Sequence, residues 1–238
     1  MKLFLIRYTK IVFSWLQLHR VFGFLSGAFL NAYFLTRLSK FIYQNKKIPV
    51  NDFPSKWSYY KRYPLYQKVL ETEVKDEAIN YLEFGVASGA SFKWFLEQNK
   101  NADSRFYGFD TFDGLPEDYG PYKKGAFSTG NKFPDINDER GSFHKGLFQQ
   151  TLPSFIKIFD NTKKTVLMMD ADLYSATLYV LSSLSSLLKK GDLIFFDQFA
   201  VPTHEFRAYL DFTQSYYKNL QLIAAANNYY FVAFKVIE

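Results

Sequence analysis

Apolar residues follow two rhythms in this chain, and the rhythm changes near residue 50. Beyond residue 65, short unbroken apolar runs alternate with segments whose apolar positions recur every three or four residues. Asn80–Phe84, Ser104–Phe109, Ser142–Lys145, Thr165–Met169, Leu193–Phe196, Leu220–Ala225 and Tyr229–Lys235 read as strands. Helical spacing lies between them, through Phe92, Trp94, Phe95 and Leu96, near Leu152–Phe159 and Thr177–Leu188, and again near His204–Tyr216. Strands alternating with helices predict an α/β fold, a doubly wound and mainly parallel seven-stranded sheet. Before residue 50 the rhythm is helical throughout. Leu25, Phe29, Ala32, Leu35 and Leu38 keep a 3/4 spacing, which predicts one or two amphipathic helices. The uncharged stretch Val21–Thr36 is sixteen residues long and bracketed by Arg20 and Arg37. It falls short of the ~20 residues a spanning helix needs. The expected organisation is an extension over residues 1–50 and a domain over 51–238. The prolines at 49, 54 and 64 suggest an extended or turning link between them.

Charge sharpens this division. The formal net charge is +6, yet residues 1–51 hold eight Lys/Arg and no acid. The remainder therefore carries 21 basic and 23 acidic side chains, a net of −2. Basic charge interleaved with Phe, Leu and Ile argues against a nucleic-acid partner. The extension could dock peripherally on an anionic membrane, or pack on the domain or on a second copy as a homo-oligomer. A cytoplasmic location, at the inner face of a membrane, is expected. The chain has no cysteine, which excludes disulfides, thiolate metal sites and a cysteine nucleophile.

In doubly wound sheets the chemistry sits just after the strands. The first expected strand runs into Glu83-Phe84-Gly85-Val86-Ala87-Ser88-Gly89-Ala90-Ser91, a tight turn into a helix. The second ends at Asp110, 21 residues beyond Gly89, where a carboxylate can accept both hydroxyls of a ribose. Neither G-x-G-x-x-G nor a Walker lysine is present. Glu83 would repel a pyrophosphate but suit an amino-acid ammonium. This points to S-adenosylmethionine (SAM).

Five ordered blocks, YLEFGVASGASFKWF, GFDTFDGLPE, GLFQQTLPSF, MDADLYSAT and GDLIFFDQF, make residues 81–207 resemble the macrocin O-methyltransferase family of class I SAM-dependent enzymes. The resemblance implies methyl transfer to a hydroxyl of a sugar or glycoconjugate, with a divalent metal. Carried over by position, Glu83, Gly85, Ala87, Ser88, Gly89 and Ser91 would hold the methionine part. Asp110 would hold the ribose, with Thr111 and Phe112 near the adenosine.

Asp170 and Asp172 follow the fourth strand, and Asp197 with Gln198 follows the fifth. Asp170, Asp197 and Gln198 would give three oxygen donors suited to Mg²⁺, although the family places a second acid where this chain has Gln198. Asp172 or Ser175 could instead cap the next helix. Asp170 is the expected general base, with His144 second and His204 third. Residues 116–140 are long and polar with aromatic anchors, which predicts a lid over the acceptor. Two other readings compete: a catalytically silent interaction protein, suggested by Gln198, and a nicotinamide oxidoreductase.

Overall fold

The computed structural model describes residues 2–238 of the chain. It opens with two helices, α1 (Lys2–Trp15) and α2 (His19–Asn45), followed by a two-residue strand β1 (Val50–Asn51) and helix α3 (Arg62–Val69). The sheet strands then alternate with helices: β2 (Ile79–Phe84), α4 (Ala90–Gln98), β3 (Arg105–Asp110), β4 (Gly141–Lys145) and α5 (Phe148–Ile156). The second half holds β5 (Lys164–Met169), α6 (Tyr174–Leu184), β6 (Leu193–Phe196), α7 (Glu205–Tyr216), β7 (Leu220–Ala226) and β8 (Phe231–Val236). The sheet order is β1-β7-β8-β6-β5-β2-β3-β4, with β8 antiparallel to both its neighbours and every other pairing parallel. This is the expected doubly wound architecture with one strand more.

The eighth strand is β1, which extends the sheet edge through Val50↔Ala224 and Asn51↔Ala225. It lies in the proline-rich link, where two residues are too few to show a period. That link also holds α3, a helix where extended or turning chain is expected. Pro64 is tolerated because it falls in the first turn, where the backbone N–H has no helical partner to lose.

The pleat sorts the core into two layers. Leu82, Phe84, Leu167, Met169, Ile194 and Phe196 point to the layer shared with α5, α6 and α7. Their alternates Tyr81, Val166, Met168, Leu193 and Phe195 point to the layer under α3 and α4. The ladder continues one step beyond the central strands. The Gly85 N–H donates to the Phe109 carbonyl at 3.0 Å, Asp170 N–H to Phe84 at 2.9 Å and Asp197 N–H to Met169 at 3.0 Å. The carboxyl ends of β2, β3, β5 and β6 are thereby held level, and the candidate site lies across them.

Candidate active site

A cavity of about 460 Å³ opens over these strand ends. That volume lies within the range of small-molecule sites. One wall is the β2–α4 turn, Gly85 to Ala87. A Cβ on Gly85 would lie 1.8 Å from the Asp170 carbonyl oxygen, and its φ is +96°, so glycine is required where the two loops meet. Ala87 also has a positive φ of 46°. The turn is held by Asp110: one carboxylate oxygen accepts the N–H groups of Val86 (2.7 Å) and Ala87 (2.8 Å), the other that of Phe112 (2.7 Å). The side chain of Asp110 therefore shapes the loop as well as lining the cavity.

Of the residues expected from the sequence, Gly85, Ala87, Asp110, Thr111, Asp170 and Gln198 line the cavity. Glu83, Ser88, Gly89 and Ser91 do not. The pleat turns Glu83 under α4, where it is fully buried and accepts hydrogen bonds from the hydroxyls of Tyr81 and Ser91. Burial pushes its carboxyl up to about 7, against the pull of those two hydrogen bonds. Glu83 and Ser91 tie the strand to the helix that follows the turn. Ser88 is exposed, and Gly89 (φ +80°) packs against Pro134 at the start of α4.

His144 is a correction. Its register partner is Phe109, and the pleat sends its ring to the α5 layer. It stacks on Phe109 with centroids 4.6 Å apart, and Nε2 is buried without a partner. Burial lowers its pKa, so it is a neutral packing residue beside the core, away from the cavity. His204 does not line the cavity either. It packs edge-on against Tyr119 at 4.8 Å and accepts the Tyr174 N–H at 3.4 Å.

Asp172 and Tyr59 join the lining although neither stood among the expected site residues. Asp172 does not cap α6, which has Leu173 at its N-cap. It is 7% exposed, and burial together with the charge of Asp197 raises its carboxyl to about 6. The D-x-D spacing carried that signal. Asp170 is held well above the usual carboxylate range by burial, then by Asp197 and Asp172. Tyr59 comes from the link, whose aromatics the sequence could not place.

The expected metal donors do not converge. Asp197 follows the parity of Phe195 and turns under α3. It is 1% exposed, with both oxygens near Arg62 Nη1 (3.2 and 3.3 Å) and one accepting the Tyr66 hydroxyl at 2.7 Å. Arg62 is itself 4% exposed, and its Nη1 also donates to the Tyr59 hydroxyl at 2.6 Å. Gln198 turns the other way: its amide oxygen accepts the Tyr119 hydroxyl and its amide nitrogen donates to Asp172. Among the described residues, no three His, Cys, Asp or Glu side chains converge as metal donors would. A divalent oxygen-ligated ion needs several free oxygens at one point. Here a permanent cation already neutralises Asp197, and both ends of the Gln198 amide are engaged. This donor set does not fit Mg²⁺.

Residues 111–140 carry no helix or strand. Leu115, Pro116, Glu117 and Phe127 face the cavity. Tyr119 reaches down to Gln198, and Phe133 packs on Phe112 at 4.9 Å. Lys123 pairs with Asp118 at 2.7 Å on the exposed side.

Residues 82–199 match a family described as a methyltransferase domain. No curated protein sequence matches the chain. Among solved structures, the chain is similar to CalS11, a calicheamicin methyltransferase, with 21% identity, a TM-score of 0.58 and coverage of 86% of this chain and 91% of that one. It is also similar to the O-methyltransferase NovP, with 18% identity, a TM-score of 0.54 and coverage of 90% and 100%. A third is cmcI with Mg and SAM, with 16% identity, a TM-score of 0.52 and coverage of 74% and 71%. The fold and the matched domain agree: the chain is an enzyme of the SAM-dependent methyltransferase class, with the family match covering residues 82–199.

Proposed function

We propose that the chain transfers a methyl group from SAM to a hydroxyl of a sugar or glycoconjugate in the cytoplasm, without a metal in the reaction. The observation that carries this reading is the single cavity wall formed by Gly85–Ala87, Asp110 and Asp170 at adjacent strand ends. Support for a sugar acceptor comes from the neighbours in the fold, which include a TDP-rhamnose 3'-O-methyltransferase at a TM-score of 0.50. The block resemblance to macrocin O-methyltransferases points the same way.

SAM would supply a methyl group on a positively charged sulfur, an electrophile that needs no further activation. Gly85 and Ala87 would face its methionine part with backbone rather than side chain. Beyond the three N–H groups it accepts, Asp110 keeps about one lone pair, on the oxygen bonded only to the Phe112 N–H, for a ribose hydroxyl. Thr111 and Phe148 would flank the base. The acids Asp170 and Asp172 make this end of the cavity attractive to a cation, and low polarity around them strengthens the attraction. The lid would exclude water and hold the acceptor oxygen in line, an alignment that can supply about 7–11 kcal/mol of the barrier. Asp170 accepts the hydroxyl proton as the new bond forms. Its raised pKa makes it a better base than an ordinary carboxylate.

Titration calorimetry of the purified chain tests the reading. Saturable SAM binding is expected, none of NAD, and loss of SAM binding in Asp110→Ala. Absence of SAM binding would refute the enzyme and leave an interaction protein with a methyltransferase fold. Labelled methyl transfer onto a panel of glycosides then tests the acceptor. Excess chelator is expected to change turnover by less than about two-fold, because Arg62 already holds the cation position beside Asp197. A chelator-dependent loss, restored by Mg²⁺, would return the metal to the mechanism.

A further inference from the structure

The first two helices are only half accounted for by the domain. The second half of α2 is docked. Phe34 and Leu38 are buried, and Phe41 meets Phe199, Phe206, Tyr209 and Phe234 with centroids within 6.2 Å. Burying each such side chain is worth about 1.5–3 kcal/mol, which fixes this half on the domain. Before Phe34 no residue of α2 is buried. No side chain of α1 is buried, and the apolar groups face outward, with Phe4 67%, Trp15 79% and Phe24 80% exposed. The two helices are joined through Gln17 (φ 49°), beside which Phe13 stacks on Phe22 at 6.1 Å.

The distribution of these groups says what covers them. Leu3, Phe4, Leu5 and Ile6 are consecutive. At ~3.6 residues per turn they occupy the whole circumference of α1, so no single flat face could bury them. A second copy of the chain would cover one stripe, whereas a fluid lipid layer follows the helix and takes in a wider part of its circumference, with the cationic heads left at the headgroups. The charge says which medium. Residues 2–33 carry Lys2, Arg7, Lys10 and Arg20 and no acid. Long cationic side chains among large apolar ones are the composition of helices that lie in a bilayer interface. Insertion is shallow: α2 as a whole is long and apolar enough to cross a bilayer, but its half from Phe34 onward is docked on the domain, and the free part, residues 19–33, extends only about 22 Å, less than the ~30 Å hydrocarbon core.

We propose that residues 2–33, helix α1 and the free half of α2, seat in the interface of an anionic phospholipid bilayer and hold the methyltransferase domain there. This goes beyond the reaction and does not depend on it.

The full chain should sediment with vesicles containing phosphatidylglycerol at least roughly tenfold more strongly than with phosphatidylcholine alone, because each basic residue near such a surface contributes about 1 kcal/mol. Brominated acyl chains should quench tryptophan fluorescence in the wild type, and Trp15→Phe should remove most of that quenching. Leu5→Glu with Phe24→Glu should lower vesicle binding roughly tenfold or more, with circular dichroism and SAM affinity unchanged. Equal binding to neutral vesicles would overturn the anionic assignment. Binding to neither vesicle, with a stable dimer in lipid-free buffer, would assign the surface to a second copy and overturn the proposal.

Discussion

Asp170→Asn is expected to lower kcat by roughly 10²–10⁴-fold, the usual contribution of a positioned general base. Asparagine is nearly isosteric. The backbone carbonyl of residue 170, which meets the Gly85 turn, is unchanged, so the cofactor loop should persist. The decisive readout is the pH profile. A base works only when ionised, and burial together with Asp197 and Asp172 raises the pKa of Asp170. Wild-type kcat/KM should therefore rise with pH through a value above the ordinary carboxylate range, and the variant should lose that limb. A variant retaining wild-type kcat and the same limb would show that the proton goes elsewhere. Asp172, with a carboxyl near 6, would be the next residue to change.

Arg62→Met should cost about 3–5 kcal/mol of stability, the penalty for removing one partner of a buried ion pair. For a chain of this size that is a fall in Tm of roughly 10 °C. The reason is local. Asp197 is 1% exposed and would keep only the Tyr66 hydroxyl for a charge that cannot reach water. In the double variant with Asp197→Asn the charge is gone and the amide oxygen can still accept from Tyr66. Most of the loss should be recovered. Thermal and denaturant unfolding of the two variants measure this, and a single variant within about 1 kcal/mol of wild type would mean the pair is solvated. The same experiment bears on the proposal of a metal-free reaction. A guanidinium in an aromatic nest of Tyr59 and Tyr63, with ring centroids at 4.1 and 5.1 Å, supplies the charge that a divalent ion would bring beside Asp197.

Much of the fold was legible because it is written in short-range rhythm. The seven longer strands lie within a few residues of where the sequence places them, most plainly β2 and β6, since a strand buried on both faces must be apolar along its length. The polar residues at the strand ends were legible for a related reason. Loops after parallel strands converge, so Asp110, Asp170 and Gln198 reach one cavity whatever else packs around them. The two-residue β1 and the helix α3 were not legible. The first is too short for a period, and the second has a proline in the one turn where proline does no harm.

Side-chain direction is where local and long-range information part. The alternation of a strand is a property of the chain, and it puts His144 opposite Phe143 and Asp197 on the side of Phe195. What waits on each side is not. Asp197 meets Arg62, 135 residues earlier in the chain, while His144 meets Phe109 and Phe155 rather than a ligand. Gln198 is held between a lid tyrosine and Asp172. Charge and apolar period along the chain were enough to separate a basic helical extension from an α/β domain with its chemistry after the strands, because both are summed locally. Which acids stay free, which are neutralised by a distant cation, and which apolar helix faces remain uncovered depend on elements brought together from far apart, and only packing in three dimensions sets them.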